Sequence, residues 1–229
     1  WTSLTAIFTG GAPNPAAEIN WWLAQGVRMA DGFGMTEAGT VLGMPVEAGR
    51  IAGKAGSAGL PAPMIGLRLV DDDGRDVAAG EPGEIWLSGP SITPGYWNRP
   101  EETERAFTAD GWFRTGDIAR RDEEGFVTLV DRRKDMFISG GENVYPVEIE
   151  TVLLDHPGIA EAAVIGVADA RWGEVGRAFV VVKAGCVVDP ADLASHCGTR
   201  IARYKVPKEF LLTEALPRTA SGKIQKHIL

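Results

Sequence analysis

The first thirty residues combine two short apolar runs with one helical pattern. The run LTAIF (4–8) stops at two glycines, which is typical of a buried strand. Asn14 followed by Pro15 predicts a helix start, with Asn14 as the N-cap. The run VRMA (27–30) predicts a second strand that ends at Asp31-Gly32. Together they predict a β-α-β unit.

The two strands of such a unit are parallel and end at the same edge of the sheet. In open α/β sheets, that carboxyl edge is where ligands bind. We therefore expect GGAP (10–13) and DGFGMTE (31–37) to lie side by side as two loops. Backbone N–H groups at the start of a helix suit an anion, so this edge is a candidate anion site.

The middle of the chain changes to short strands and turns. From about Ala62 to Val130, runs such as IGLRLV and GEIWLSG predict β-rich, hairpin-like structure. The run Asp71–Asp73 could suggest a metal site, but the Asp73-Gly74 dipeptide is a strong hairpin-turn signal. We interpret these carboxylates as a solvated turn.

A charged segment, DRRKD (131–135), interrupts the aliphatic strands and predicts a domain boundary. We expect residues 1–130 to be the C-terminal part of a large α/β domain, with a β-α-β unit and a β-rich subdomain. Residues 131–135 are predicted to be a hinge, and residues 136–229 a small, mobile α+β lid domain.

Composition is that of an ordinary globular chain, with 45% hydrophobic and 24% charged residues. No stretch approaches the ~20 apolar residues of a transmembrane helix. The chain starts at Trp1 without a signal-peptide pattern, so we expect a segment of a longer protein. The two cysteines, Cys186 and Cys197, do not form a disulfide framework, which favours a reducing cytoplasm.

Charge is distributed unevenly along the chain. The net charge of −8 argues against nucleic-acid binding. Residues 199–229 nevertheless hold seven Lys/Arg and two Glu, a net of +5, which leaves −13 for the other 198 residues. A basic tail of this kind could be a solvated face, or it could bind a small polyanion such as a nucleotide or coenzyme A.

Several polar residues could carry chemistry, although each alone is a modest signal. Phe33 can stack on a base, the Thr36 hydroxyl can meet a phosphate, and the Glu37 carboxylate can hold Mg²⁺. Asp117 follows a predicted tight turn in TGD, where a carboxylate can bind a ribose diol. Taken alone, Asp117 is better explained as a cap or turn residue.

Five segments together give a specific match. GGAP, DGFGMTE, GWFRTGD, DRRKDMFISGGENVYPVEIE and PRTASGKIQK occur in this order over essentially the whole chain. The set resembles the adenylate-forming superfamily, and within it the AMP-forming acyl-CoA synthetases that act on fatty or aryl acids. The resemblance implies an acid–thiol ligase that uses a carboxylic acid, ATP with Mg²⁺, and coenzyme A.

The resemblance also implies roles for individual residues. Lys223 is expected to be the catalytic cation, carried on a flexible loop, with Thr36 at the α-phosphate and Glu37 at the metal. The adenylate-binding residues would be Gly11, Ala12, Pro13, Asp31, Gly32, Phe33, Asp117 and Arg132. Lys134 matches the hinge position. Gly140, Gly141 and Trp172 would line the pantetheine passage, and Tyr204 would lie near the nucleotide end of coenzyme A.

One part of the family pattern is missing. Relatives carry a Ser/Thr/Gly-rich loop that ends in Lys and grips the β- and γ-phosphates, and this sequence has no such loop. We therefore expect the segment alone to be inactive in adenylation. Three alternatives stay open: transfer of the acyl group to a carrier protein, oxidation of the adenylate as in luciferases, and a non-catalytic nucleotide-binding module. The acid that is activated is not indicated.

Overall fold

The computed structural model describes residues 3–11, 14–220 and 222–229. It divides the chain into two compact units, Trp1–Val130 and Asp131–Leu229. The predicted hinge therefore falls at the start of the second unit. Throughout the described ranges, every helix is too short or too polar to cross a bilayer.

The first sheet contains the predicted β-α-β unit. Its elements are β1 (Ala6–Thr9), α1 (Ala16–Ala24), β2 (Arg28–Met35), β3 (Gly39–Gly43), α2 (Ala48–Gly53) and β4 (Leu60–Pro61). The strand order is β1-β2-β3-β4, and β1 pairs with β2 in parallel, with Ala6 opposite Arg28 and Thr9 opposite Asp31. The parallel pairing confirms the prediction.

Two details of this unit differ from the sequence prediction. β2 does not end at Asp31-Gly32 but continues to Met35, because Phe33, Gly34 and Met35 also pair with β3. DGFGMTE is therefore mostly strand rather than loop. Asn14 is also not the N-cap: α1 starts after Pro15 without a side-chain cap, and the Asn14 amide instead donates hydrogen bonds to the Thr9 hydroxyl and the Asp31 side chain.

The second sheet of this unit is the predicted β-rich region. Its elements are β5 (Gly66–Val70), β6 (Gly83–Ser88), α3 (Pro100–Ala106), β7 (Phe113–Arg121) and β8 (Val127–Arg132), with strand order β5-β6-β7-β8. Asp71 Oδ1 accepts the N–H groups of Asp73 and Arg75, both at 2.9 Å. That use of the carboxylate confirms the turn interpretation.

The two sheets of the first unit share one core. Val41 and Leu42 from β3 pack in the same buried cluster as Ile85 and Leu87 from β6. Phe33 lies half-buried against this cluster. Burial of aliphatic side chains at about 25 cal/mol per Å² holds the sheets together, so the candidate site residues stand on a packed scaffold.

The second unit has the predicted α+β architecture. Its elements are β9 (Phe137–Ser139), β10 (Glu142–Val144), α4 (Pro146–Leu154), β11 (Ile159–Asp169), β12 (Gly173–Val182), α5 (Pro190–Gly198) and β13 (Glu209–Leu212). The strand order is β10-β9-β12-β11, and β13 pairs with β12 in parallel. Ile149 and Leu153 of α4 and Leu193 of α5 are fully buried against Val164 and Val180.

Candidate functional site

Asp31 holds the loop that follows β1. Its side chain is buried, and its Oδ1 accepts hydrogen bonds from the Thr9 hydroxyl and, at 2.5 Å, from the Asn14 amide. Its Oδ2 accepts the Asn14 backbone N–H at 3.3 Å. The carboxylate therefore fixes both ends of the GGAP loop. Direct contact between Asp31 and a nucleotide stays a prediction, and the sequence interpretation missed this use of Asn14.

The glycine-bearing segments do meet at the sheet edge. A Cβ on Gly10 would lie 3.3 Å from the carbonyl oxygen of Gly32, and a Cβ on Gly32 would lie 2.9 Å from that of Leu42. The backbones are thus as close as glycine permits. Gly11 is exposed with φ +89°, while Ala12 and Pro13 lie outside the described residues.

Thr36 and Glu37 lie in the turn that joins β2 to β3. Thr36 is exposed and Glu37 is half-buried. Phe33 precedes them in β2, at a register shift in the β2–β3 ladder. A single carboxylate in this turn suits Mg²⁺, which usually takes one or two carboxylates together with waters and substrate phosphates.

A distant loop fixes Glu37 by two hydrogen bonds. The Tyr96 hydroxyl donates to Glu37 Oε1 at 3.0 Å, and the Thr93 N–H donates to the Glu37 carbonyl oxygen at 2.7 Å. Burial and the bond to Glu37 raise the pKa of Tyr96, so its proton stays on the phenol. Sequence reasoning missed Tyr96 because 59 residues separate it from Glu37 and no local pattern marks it.

Asp117 lies within a strand rather than after a tight turn, which corrects the prediction. Gly116 has φ +71°, and the β6–β7 register shifts between Glu84 and Trp86. A β-bulge of this kind re-aims the following side chain. Glu84 stabilises the bulge by accepting the Gly116 N–H at 3.1 Å, and Asp117 itself is only 6% exposed. Sequence reasoning missed Glu84.

Gly140 and Gly141 form the two-residue turn between β9 and β10. Their φ values are +61° and +89°, the combination that a type I′ hairpin turn requires. The Gly140 N–H donates to the Trp172 carbonyl oxygen at 2.8 Å, and a Cβ on Gly140 would lie 3.0 Å from the Trp172 ring. The structure therefore brings Gly140 and Trp172 together. The positive φ values of the turn explain why both residues are glycine. The sequence interpretation did not include this explanation.

Trp172 lies in the turn between β11 and β12 and is 40% exposed. Asp169 Oδ1 fixes this turn by accepting the N–H groups of Arg171 and Trp172 at 2.8 and 2.9 Å. These bonds lower the pKa of Asp169. Tyr204 is 39% exposed in the 3₁₀ turn Arg203–Lys205.

The basic tail is partly neutralised within its own unit. Of its seven cations, at least three pair with carboxylates in the described part of the chain. These pairs are Lys205–Glu148 at 2.6 Å, Arg218–Glu161 at 2.6 Å and Lys226–Glu150 at 2.7 Å. The net charge of the tail alone is therefore weaker support for a polyanion site than the sequence suggested.

Lys223 lies on a hydrogen-bonded turn, and the expected flexibility of this segment stays a prediction. The Thr219 N–H donates to the Lys223 carbonyl oxygen at 2.8 Å, and the Lys223 N–H donates to the Thr219 hydroxyl at 3.1 Å. The Arg218 guanidinium donates to the Gly222 carbonyl oxygen at 2.6 Å. The Lys223 side chain is exposed.

Arg132 and Lys134 are exposed at the end of β8 and in the turn that follows it. The Arg132 carbonyl oxygen accepts the N–H groups of Asp135 and Met136, at 2.9 and 3.2 Å. The predicted hinge residue, Lys134, is therefore an exposed residue of a hydrogen-bonded turn. Its function as a hinge stays a prediction.

Comparison with known proteins identifies the class. Residues 1–97 match the AMP-binding enzyme family and residues 148–223 match the AMP-binding enzyme C-terminal domain. The chain belongs to the adenylate-forming enzymes.

Individual relatives are ligases that form CoA thioesters. The chain is 47% identical over 225 residues to a feruloyl-CoA synthase from Amycolatopsis, covering 98% of the chain and 45% of that protein. It is 46% identical over 224 residues to the long-chain-fatty-acid–CoA ligase FadD13 of Mycobacterium tuberculosis, covering 96% and 43%. The chain thus spans less than half the length of these relatives.

A solved structure shows the same fold. It is the o-succinylbenzoate coenzyme A synthetase (MenE) of Bacillus subtilis in complex with ATP and magnesium ion. The TM-score is 0.86 at 37% identity, and the match covers 96% of this chain and 45% of that chain. The match supports the predicted fold class: an α/β end of a large domain followed by a small α+β domain.

Proposed function

We propose that the protein containing this chain is an ATP-dependent, AMP-forming acid–CoA ligase. The observation that carries the proposal is the 47% identity to a feruloyl-CoA synthase over 98% of the chain. The similarity covers both units, so the candidate nucleotide residues and Lys223 fall within it. The substrates would be a small carboxylic acid, ATP and coenzyme A.

In the first step, a carboxylate oxygen of the acid attacks the α-phosphorus of ATP. The new O–P bond gives acyl-AMP, and pyrophosphate leaves with the electrons of the broken P–O bond. Two anions must approach, and unit charges about 4 Å apart repel by about 4 kcal/mol at an effective dielectric constant of 20. The Lys223 ammonium, placed between them, would turn this repulsion into stabilisation of the transition state.

Residues of the first unit would hold the nucleotide. Gly11, Ala12 and Pro13 would border the adenine, with Gly32 and Phe33 along its face and Asp31 keeping the loop in place. Thr36 would donate to the α-phosphate, and Asp117 and Arg132 would bind the ribose hydroxyls. Glu37 would bind Mg²⁺, which neutralises phosphate charge when it is present.

In the second step, the thiolate of coenzyme A attacks the acyl carbonyl carbon, and AMP leaves. The turn at Gly140 and Gly141 would line the pantetheine passage with Trp172, and Tyr204 would contact the nucleotide end of coenzyme A. In a single orientation, the second unit cannot place both Lys223 and the passage for the coenzyme A thiol at the same phosphate. A rotation about Lys134 would exchange the two arrangements.

The proposal also includes the cellular compartment of the protein and the class of carboxylic acid that it activates. Cys186 and Cys197 are both free thiols, which suits a reducing cytoplasm. The acids named for the relatives are ferulate and long-chain fatty acids, so a test should cover aryl and alkyl acids.

The direct test uses the full-length protein. It is incubated with ATP, Mg²⁺, and ferulate or a long-chain fatty acid, together with either coenzyme A or a phosphopantetheinylated carrier protein. We expect AMP, pyrophosphate and an acyl-CoA thioester, identified by mass spectrometry. Acylation of the carrier protein alone would favour the carrier-protein alternative. AMP binding without turnover of any acid would favour a non-catalytic module.

A further inference from the structure

We propose that Lys226, held by Glu150, is a positioning residue for Lys223 in the adenylation step. The proposal rests on the function proposed above. Lys226 follows the turn that carries Lys223 by three residues, and it reaches back into the second unit. Lys226 would not touch the substrates. It would fix the backbone from which the Lys223 side chain extends.

The Lys226–Glu150 ion pair is largely shielded from solvent. Lys226 Nζ lies 2.7 Å from Glu150 Oε1, and the two side chains are only 16% and 14% exposed. Glu150 Oε1 also accepts the Val164 N–H at 2.7 Å. Glu150 therefore joins α4, β11 and the C-terminal segment at one carboxylate.

A second buried carboxylate interacts electrostatically with Lys226. Asp131 is 8% exposed and accepts the N–H groups of Arg132 at 2.7 Å and of Val147, near the start of α4, at 2.9 Å. Burial raises the pKa of both Asp131 and Glu150, and the positive charge of Lys226 opposes that rise at both. The charge of Lys226 therefore acts on two buried carboxylates, Asp131 at the start of the second unit and Glu150 on α4.

The turn connects the Lys226–Glu150 ion pair to the backbone of Lys223. Beyond the turn, Arg218 and Ile224 form an antiparallel bridge, and the Gln225 N–H donates to the Pro217 carbonyl oxygen at 2.8 Å. Arg218 binds Glu161 of β11 at 2.6 Å. The ion pairs of Arg218 and Lys226 therefore hold the two ends of the turn. Loss of either ion pair would displace Lys223.

Adenylation depends on the position of Lys223, whereas thioester formation in the proposed mechanism does not. This difference separates a positioning role from a purely structural role. Misplacement of a reacting group by about 1 Å can cost roughly 100-fold in rate. A general weakening of the second unit would instead impair both half-reactions, because coenzyme A is proposed to bind there.

The experiment compares full-length Lys226→Met, Lys226→Arg and Glu150→Gln with the wild type. Adenylation is followed as acid-dependent exchange of pyrophosphate into ATP, and the second step as thioester formation from supplied acyl-AMP. We expect Lys226→Met and Glu150→Gln to slow adenylation by roughly 10- to 100-fold and to leave the second step within about twofold. Lys226→Arg keeps the charge, so it should restore most of the adenylation rate.

Lys205→Met is the matched control. Lys205 pairs at 2.6 Å with Glu148, which also belongs to α4, and its side chain is likewise 16% exposed. It lies outside the segment that carries Lys223. Adenylation by Lys205→Met should therefore equal that of the wild type. If Lys226→Met cannot be purified folded, the charge-neutral double variant Lys226→Gln/Glu150→Gln takes its place.

Three results would overturn the proposal: unchanged adenylation in Lys226→Met, an equal loss in both half-reactions, or failure of the double variant to fold. Lys223→Ala, measured alongside, distinguishes this failure from failure of the proposed function. If Lys223→Ala abolishes adenylation and Lys226→Met does not, only the positioning role is wrong. If neither variant affects adenylation, the proposed role of Lys223 is wrong.

Discussion

The Tyr96 hydroxyl donates a hydrogen bond of 3.0 Å to Oε1 of Glu37, the residue proposed to bind Mg²⁺. A hydrogen bond to a carboxylate restricts its orientation. Tyr96 is 38% exposed, so solvent weakens the effect. The contact makes Tyr96 a supporting residue for the proposed metal ligand, at the position where the Thr93 N–H also holds the Glu37 backbone.

Tyr96→Phe in the full-length protein should raise the apparent KM for Mg²⁺ by about three- to tenfold, because a hydrogen bond to a charged group is lost. The measurement is the adenylation rate as a function of Mg²⁺ concentration at saturating ATP and acid. The control is Trp97→Phe, at the neighbouring aromatic residue that is 89% exposed. An equal Mg²⁺ dependence in the two variants would contradict the supporting role.

The glycine turn gives a prediction about the second step. In Gly140→Ala and Gly141→Ala, both new side chains would sit at positive φ, which costs roughly 1–2 kcal/mol of stability. Only the Cβ at position 140 would lie 3.0 Å from Trp172, while the Cβ at 141 would meet nothing within 4 Å. We therefore expect Gly140→Ala to slow thioester formation from acyl-AMP several-fold more than Gly141→Ala. Equal rates would argue against a passage beside Trp172.

Lys134→Pro tests the hinge. Proline fixes φ near −65°, so it opposes rotation at this position. We expect adenylation to continue and thioester formation to fall, as measured in the two separate half-reactions. Lys134→Ala, which removes the side chain and keeps the backbone freedom, should leave both rates near those of the wild type. Unaltered overall turnover in Lys134→Pro would refute the hinge assignment.

The two cysteines should differ in reactivity. Burial raises the pKa of the Cys197 thiol to about 11, and Cys186 is exposed. At pH 8, roughly one Cys197 thiol in a thousand would be ionised, and the thiolate is the nucleophile. Alkylation of the native protein at pH 8, followed by peptide mass spectrometry, should label Cys186 and spare Cys197 until the protein unfolds. Equal labelling of both in the folded state would contradict the buried environment.

The sequence predicted the parts of the fold that depend on local patterns. Apolar periodicity predicted the β-α-β unit, and the Asp73-Gly74 dipeptide predicted the hairpin turn. The prediction that Asn14 is an N-cap was wrong because a buried carboxylate 17 residues away binds its amide. The predicted end of β2 was wrong because pairing with β3 extends the strand to Met35. In both cases, a tertiary contact overrode the local signal.

The candidate site was predictable only as far as the family motifs reach. Those motifs pointed to Glu37 and Lys223, but not to the long-range contacts that form beside these two residues. Tyr96 is 59 residues from Glu37. Lys226 pairs with Glu150 across the second unit. Such pairs leave no periodic pattern in a single sequence, so only the folded structure shows them.

Lys223 is the residue on which the proposed mechanism depends most. The decisive measurement is the rate of each half-reaction in full-length Lys223→Ala. The mechanism predicts a loss of adenylation of several hundred-fold or more, on the order of that for removal of one transition-state donor, while thioester formation from supplied acyl-AMP stays near the wild-type rate. Equal losses in both half-reactions, or normal adenylation, would contradict it.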